Sequence, residues 1–481
     1  MIKCLRIMTA IAFLLALGAC SANQASFNFT TSDIEYNKAA QALYPDRNPI
    51  IVVPGILGSK LVDVTTGELV WGGLEDLSID PGTDKGLRQL ALPIGDGKTP
   101  LSKLGSSLRP AGVLDKAHVS IAGLPAEYEI YSGILATLGA GGYVDSALGE
   151  KGALNYGSAH FTCFQFSYDW RRDIVESARE LGRLIRQKRE FVRAQIRERF
   201  ATDRPALKFD IIAHSMGALV VRYYLMYGDA ELPADGSLPA LTWAGARDVS
   251  RVIYIAPPNA GAAISLLYLV DGRYIGPMSP LYPSALLATY PAAYQLLPRP
   301  RHNPVVWDRM PTRPVGDFLD ADLWSRMGWS LDHPKRADVL AKLMPEVPDA
   351  DERGRRAAAF QAQLLERARR FFAAMDRPAS PPTTLKIYTV IGGGSETVKT
   401  LAVGETGALR VKEHGAGDDT VLRSSVLLDE RVGSTWKPML QSPLHHGNVT
   451  IIGDDHLGVT RNPAFRDSVL YWLLEEPRNQ P

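Results

Sequence analysis

Around position 215 the chain reads Phe209-Asp210-Ile211-Ile212-Ala213-His214-Ser215-Met216-Gly217-Ala218-Leu219-Val220-Val221. It is an apolar run of strand length, then a serine with a small residue two places before and two after, then an apolar helical run. A serine on a sharp strand-to-helix turn presents its hydroxyl to an incoming carbonyl, and bulky side chains at those two flanking positions would strike the neighbouring backbone. Ala213 and Gly217 leave that space open, so Ser215 is the candidate nucleophile, with a helix-capping serine as the plain alternative. The helix that starts at Met216 aims its first amides, and the positive end of its dipole, at the same space. The Met216 amide is therefore a candidate donor to a developing oxyanion. The Ile56 amide in Pro54-Gly55-Ile56-Leu57-Gly58-Ser59 is the second, because the glycines let the backbone approach a carbonyl, although they would equally permit an ordinary turn.

A nucleophilic serine needs a base and a group that orients the base. On an elbow of this kind the acid and then the histidine follow the serine along the chain. Gly417-Asp418-Asp419-Thr420-Val421 offers two carboxylates in a glycine-containing loop, and Asp454-Asp455-His456-Leu457 offers a histidine just before the final helical stretch, Pro463 to Leu474. One aspartate would orient the imidazole and the imidazole would take the serine proton. His445 and His446 are rivals, but His456 holds the place before the last helix where such a base is presented. His214 is read as packing or shaping the pocket. Gly392-Gly393-Gly394-Ser395 lacks the Lys-Ser or Lys-Thr of a phosphate-binding loop and reads as a turn.

The elements that must position these groups are legible as apolar runs. Pro49 to Gly55, Phe161 to Phe166, Phe209 to Ala213, Val249 to Ala256 and Leu385 to Ile391 have the length and composition of strands buried on both faces, and helical stretches such as Ile174 to Phe200 separate several of them. That alternation predicts an α/β protein with a mostly parallel, doubly wound sheet, and with the elbow it predicts the α/β-hydrolase fold. Ligands of such sheets sit beyond the carboxyl ends of the strands, where the loops named above lie. Residues 263–377 break the rhythm: they are rich in Pro, Tyr, Arg and Trp and then carry a charged helical segment near Asp349 to Asp376. They read as an insertion, either a cap or lid over the site or a surface subdomain without a gating role. The expected organisation is thus a first core part at 49–262, the insertion at 263–377 and a second core part at 378–481. Seven arginines between 179 and 199 alternate with Glu180, Glu190 and Glu198 and read as a solvated helix face, with attraction to anionic headgroups a minor reading.

With 53 basic against 52 acidic residues, no global charge draws this chain to nucleic acid. The first twenty residues read as an export signal: Lys3 and Arg6, an apolar run from Ile7 to Leu17 too short to span a bilayer, then small residues before Cys20. Leu17-Gly18-Ala19-Cys20 resembles a bacterial lipobox, which implies cleavage before Cys20 and lipid attachment to it. Ser21 then implies sorting to the outer membrane of the envelope; an ordinary cleaved signal would instead leave the protein periplasmic or secreted. Residues 21–48 suit a flexible tether. Cys4 would leave with the signal and Cys20 would be modified, so Cys163 alone would remain, without a disulfide or cysteine metal site. No cofactor and no metal is expected.

Five segments together resemble the lecithin:cholesterol acyltransferase family, which includes lysosomal phospholipase A2 and the phospholipid:diacylglycerol acyltransferases. They are Val53-Pro54-Gly55-Ile56-Leu57-Gly58-Ser59-Lys60-Leu61, Tyr168-Asp169-Trp170-Arg171, Ala213-His214-Ser215-Met216-Gly217, Pro257-Pro258-Asn259-Ala260-Gly261 and Gly417-Asp418-Asp419-Thr420-Val421. The resemblance implies Ser215, Asp418 and His456 as the triad, and the amides of Ile56 and Met216 as the oxyanion hole. It implies a lipid ester substrate met at a membrane surface, with an alcohol acceptor, a sterol or glyceride, or, in a plain lipase or esterase, water; a non-catalytic surface lipoprotein that keeps the fold and binds lipid is the alternative reading. Trp71 lies where relatives place a lipid-contacting tryptophan, and a buried structural role is the other reading. With Cys163 alone this chain lacks the disulfides of vertebrate members, including the one that closes a membrane-binding loop. The lid region is also poorly matched, and nothing in the sequence sets an oligomeric state.

Overall fold

Each of the five apolar runs forms a strand of one sheet, and a sixth strand completes it. Ile50–Val53 (β1), Cys163–Gln165 (β2), Phe209–His214 (β3), Val249–Ile255 (β4), Lys386–Gly392 (β5) and Asn448–Ile452 (β6) pair in the order β6-β5-β4-β3-β1-β2. Every pairing in this sheet is parallel. The computed structural model describes residues 36, 44–73, 79–121, 124–151, 160–274, 280–333, 336–435 and 437–476. The export signal with Cys20, and most of the 21–48 tether, lie outside the described residues.

The sheet is covered on both faces, and the period-two alternation of β1 shows how. Ile51 and Val53 join a core with Val175 and Ile185 of helix Ile174–Phe200 and with Leu219 and Val220 of helix Met216–Tyr227. Ile50 and Val52 point the other way, into a core with Ile134 and Leu138 of helix Ser132–Ala140 and with Phe465 and Val469 of helix Pro463–Leu470. These four helices, with Ala263–Asp271 and Ala350–Met375 among them in chain order, are α1 (Ser132–Ala140), α2 (Ile174–Phe200), α3 (Met216–Tyr227), α4 (Ala263–Asp271), α5 (Ala350–Met375) and α6 (Pro463–Leu470). A strand buried on both faces must be apolar at consecutive positions, which is why β1 reads Ile-Ile-Val-Val. Together these features make the chain an α/β-hydrolase fold.

Helix α2 starts at Asp173, whose carboxylate accepts from the Val175 amide, and its arginines pair outward: Arg179 with Glu231, Arg186 with Asp229, Arg193 with Asp203. That face is a paired, solvated one. Between β4 and β5, α4 and several short helices lead to the strands Val305–Trp307 and Met310–Pro314. Val305–Trp307 pairs in parallel with Ser395–Val403, which pairs with Leu409–Gly417, so a four-stranded side sheet draws on residues before and after 378. Helix α5 then buries Phe360, Leu364 and Phe371 in the same core as α2 and α3. Among the described residues no helix is long and apolar enough to cross a membrane.

Candidate active site

The register Val53↔Ala213 sets the end of β1 beside the end of β3, so the loop after β1 lies against the elbow after β3. Ser215 sits on that elbow at φ 53° and ψ −127°, a conformation that costs an L-residue about 1–3 kcal/mol and persists because its surroundings impose it. Its amide donates to the Ile255 carbonyl at 2.8 Å, which ties the elbow to β4. A Cβ on Gly217 would lie 2.3 Å from the Pro54 carbonyl oxygen, so only glycine lets α3 start this close to the β1 loop.

The structure brings Ser215, His456 and Asp418 together. His456 Nε2 lies 2.9 Å from Ser215 Oγ, and His456 Nδ1 lies 2.8 Å from Asp418 Oδ2. Asp418 is fully buried, and its other oxygen accepts from the amides of Val421 at 2.6 Å and Thr420 at 3.1 Å. Two amides and one imidazole thus satisfy a carboxylate out of water's reach, which a buried charge requires. The choice between the neighbouring aspartates is settled by direction: Asp419, at φ 76°, is exposed and accepts from its neighbour, the Thr420 hydroxyl. A Cβ on Gly392, at the end of β5, would come within 2.6 Å of the Asp418 Cβ, so the glycine run after β5 is a strand-end turn that makes room for the acid. The loop carrying His456 is folded by Asp455, which accepts from the amides of Leu457 and Gly458. The rival His446 instead bonds the Leu427 carbonyl at 2.9 Å, and with His445 it lines a separate small cavity beside Arg222.

The loop Pro54 to Gly58 is fixed from three sides. Tyr168 donates its hydroxyl proton to the Pro54 carbonyl at 2.8 Å, the Gly55 amide donates to the Tyr131 hydroxyl at 2.7 Å, and Trp71 Nε1 donates to the Leu57 carbonyl at 2.8 Å. None of these bonds uses the Ile56 amide. The Met216 amide, the first of α3, has no intrahelical acceptor. Trp71 is buried edge-on against Trp170, with ring centroids 5.4 Å apart, so of its two readings it takes the structural one. The Tyr168-Asp169-Trp170-Arg171 segment acts in the same way. Trp170 Nε1 donates to the Ser59 carbonyl, while the buried Arg171 is held by Asp169 at 2.7 Å and donates to the Leu90 carbonyl at 2.9 Å. Asn259 accepts from Arg222 and donates to the Val426 carbonyl, which ties the loop after β4 to the segment following Asp418.

A pocket of about 750 Å³, counting the open solvent at its mouth, reaches Ser215. Its wall is apolar, from Ile56 and Leu57 to Leu269, Leu287 and Leu296, and among the described residues Arg273 is the one charged side chain that lines it. The wall residues between 262 and 296 carry no motif, and sequence reasoning assigned none of them individually. It also missed Tyr131. His214 is buried and hydrogen-bonded, and burial together with the neighbouring His456 pushes its pKa down to about 3, so it is neutral at ordinary pH. Among the described residues no cluster of three or more His, Cys, Asp or Glu could hold a metal ion.

Residues 102–335 match the family model described as lecithin:cholesterol acyltransferase. No curated protein matches the chain. Among solved structures it is similar to the crystal structure of the Tle4–Tli4 complex, at 14% identity and TM-score 0.54, with 89% of this chain and 98% of that one covered. Lipase 1 from Pelosinus fermentans aligns at 13% identity over 90% of this chain and 99% of its own, with a TM-score of 0.27. Residues 102–335 are thus similar to the lecithin:cholesterol acyltransferase family, and the chain has the α/β-hydrolase fold.

Proposed function

We propose that this chain is a serine enzyme that forms an acyl-enzyme from a lipid ester and passes the acyl group to water or to an alcohol. Ser215 Oγ attacks the ester carbonyl carbon while His456 Nε2 takes its proton. Asp418 holds the imidazolium that results, and the amides of Ile56 and Met216 stabilise the oxyanion. His456 returns the proton to the departing alcohol as the tetrahedral intermediate collapses to the acyl-enzyme. Water or an acceptor hydroxyl then attacks, and its proton follows the same path in reverse. The observation that carries this reading is the unbroken hydrogen-bonded line from Asp418 through His456 to Ser215, at 2.8 and 2.9 Å, at the end of an apolar pocket.

The test is to incubate the enzyme with acyl-labelled phosphatidylcholine, with and without a sterol or diacylglycerol. Release of labelled fatty acid alone identifies a hydrolase, and labelled sterol ester or triacylglycerol identifies a transferase. Both must vanish in Ser215→Ala, and product formation by that variant refutes the reading. The export signal belongs to the same proposal: lipid on Cys20 would hold the enzyme against its substrate at the outer membrane, since each buried methylene contributes about 0.8 kcal/mol. Cys20→Ser should then move the protein from the membrane fraction to the soluble one. A variant still found with membranes overturns the anchor.

A further inference from the structure

Beside the nucleophile, four groups form one hydrogen-bonded chain whose two side chains are buried. The Gly55 amide donates to Tyr131 Oη at 2.7 Å, Tyr131 Oη lies 3.0 Å from His214 Nδ1, and His214 Nε2 lies 2.9 Å from the His456 carbonyl. Tyr131 immediately precedes α1 and is 2% exposed; His214, the last residue of β3, is also 2% exposed. The two rings meet edge-on, and neither residue lines the pocket that reaches Ser215.

The ends of this chain dictate its middle. A peptide N–H can only donate and a peptide carbonyl can only accept. Tyr131 Oη therefore receives the Gly55 proton and spends its own on His214 Nδ1, and His214 must carry its proton on Nε2 to donate to His456. One tautomer satisfies all four groups. A protonated His214 would put a second donor on Nδ1 and leave the tyrosine proton without an acceptor in a dry site, which costs more than a hydrogen bond returns. The low basicity that burial gives His214 is in keeping with this.

We propose that Tyr131 and His214 are positioning residues that lock the oxyanion loop to the loop of the base, so that the Ile56 amide, Ser215 Oγ and the His456 ring are held in one register. The proposal rests on the reading of Ser215, His456 and Asp418 given above. Gly55 is the residue before the Ile56 donor, and its Cα packs so tightly on the elbow that an added Cβ would stand 2.8 Å from Ser215 Cβ. The carbonyl bonded by His214 belongs to the residue whose ring meets Ser215. The chain thus joins the two sides of the reaction, across 76 and 242 positions of sequence, through groups that never touch substrate. Shifts of a few tenths of an ångström at either end act on the transition state more than on the bound ester.

The test compares Tyr131→Phe, His214→Gln, His214→Asn and, as a packing control on the helix that follows Tyr131, Ile134→Val. Each is measured for kcat and KM on a soluble p-nitrophenyl acyl ester, for the rate of fluorophosphonate labelling, and for thermal midpoint. Tyr131→Phe should lower kcat and the labelling rate about tenfold with KM unchanged, the signature of a loss felt in the transition state. His214→Gln can still place a donor near the His456 carbonyl and should retain more activity than His214→Asn, which keeps only the acceptor for Tyr131. The Tyr131→Phe/His214→Asn double variant should be no slower than the worse single one, because both cut one chain. If Tyr131→Phe does not fold, the order of the two His214 variants carries the test. Tyr131→Phe with kcat within twofold of the parent overturns the proposal. So does activity that tracks thermal midpoint alike in all variants and the control, or His214→Asn outperforming His214→Gln. Labelling that persists in Ser215→Ala overturns the underlying reading of the site, whereas Ser215-dependent labelling that is full in the relay variants overturns the relay alone.

Discussion

Alanine at position 55 would carry its Cβ to 2.8 Å from Ser215 Cβ and 3.3 Å from both Ser215 Oγ and the His214 carbonyl oxygen. Carbon atoms in good contact stand about 3.5–4.0 Å apart, so the deficit is about 1 Å. Gly55 is not among the glycines with positive φ, so alanine pays no backbone penalty there and the effect is purely steric. Neither side yields freely, because Tyr168, Tyr131 and Trp71 hold the loop and Ile255 holds the elbow. Displacing Ser215 from the oxyanion donors by about 1 Å costs on the order of 100-fold in rate, or about 2.7 kcal/mol of barrier. The overpacking itself should remove about 1–3 kcal/mol of stability, leaving a folded enzyme. The assay is kcat on a soluble ester with thermal unfolding alongside, and Gly105→Ala is the control, since a Cβ there meets nothing within 4 Å. Gly55→Ala with kcat within threefold of the parent and an unchanged thermal midpoint would refute the claim that this loop and the nucleophile are in fixed register.

Asp418→Asn keeps the shape of the acid but removes the charge that holds the imidazolium and the preferred tautomer. Its kcat should fall about 10⁴-fold in the same ester assay while circular dichroism is unchanged. Arg171→Met strands the buried Asp169 carboxylate and unties the Leu90 carbonyl, so chemical denaturation should show a loss of about 3–5 kcal/mol. His214 takes up its proton at about 3 in the folded chain against an ordinary 6.5 once unfolded, so as pH falls the unfolded chain is protonated first. Its contribution to stability is complete above pH 6.5 and drains away towards pH 3, by at most about 1.4 kcal/mol per unit. Urea midpoints measured down that range should fall less steeply in His214→Gln, and parallel slopes would contradict this account.

The parts of the fold that were legible from sequence are those where one local demand decides. Strands β1 to β5 are buried on both faces and had to be apolar at successive positions, and the elbow needs a glycine at 217 because the Pro54 backbone passes there. Strand β6 was missed because, unlike the buried edge strand β2, it is largely solvated: Asn448, Val449 and Ile451 are exposed and Thr450 is half-buried, so its sequence shows neither an apolar run nor clean alternation. The side sheet was invisible for a different reason. Its parallel pair joins Val305–Trp307 to Ser395–Val403 across some ninety positions, and Met310–Pro314 begins a strand with a proline in second place and is exposed throughout. Within the site, the Tyr168-Asp169-Trp170-Arg171 segment was noticed only as a family likeness. Its physical work, fixing the Pro54 and Ser59 carbonyls, needs partners more than a hundred residues away. Tyr131 gave no local signal at all, since a tyrosine before a helix is unremarkable until the Gly55 amide is found above its hydroxyl. Asp418 and Asp419 are indistinguishable in composition, and the positive φ at 419 is what turns one inward and the other out.

A covalent acyl group on Ser215 is what the proposed reaction requires, and rapid-quench peptide mass mapping after mixing with a short-chain phosphatidylcholine would detect it. An acyl mass should appear on the peptide that contains Ser215, formed at the rate of the first turnover and absent from Ser215→Ala. Ester consumed with no acylated peptide, or the acyl group found on another residue, would contradict it.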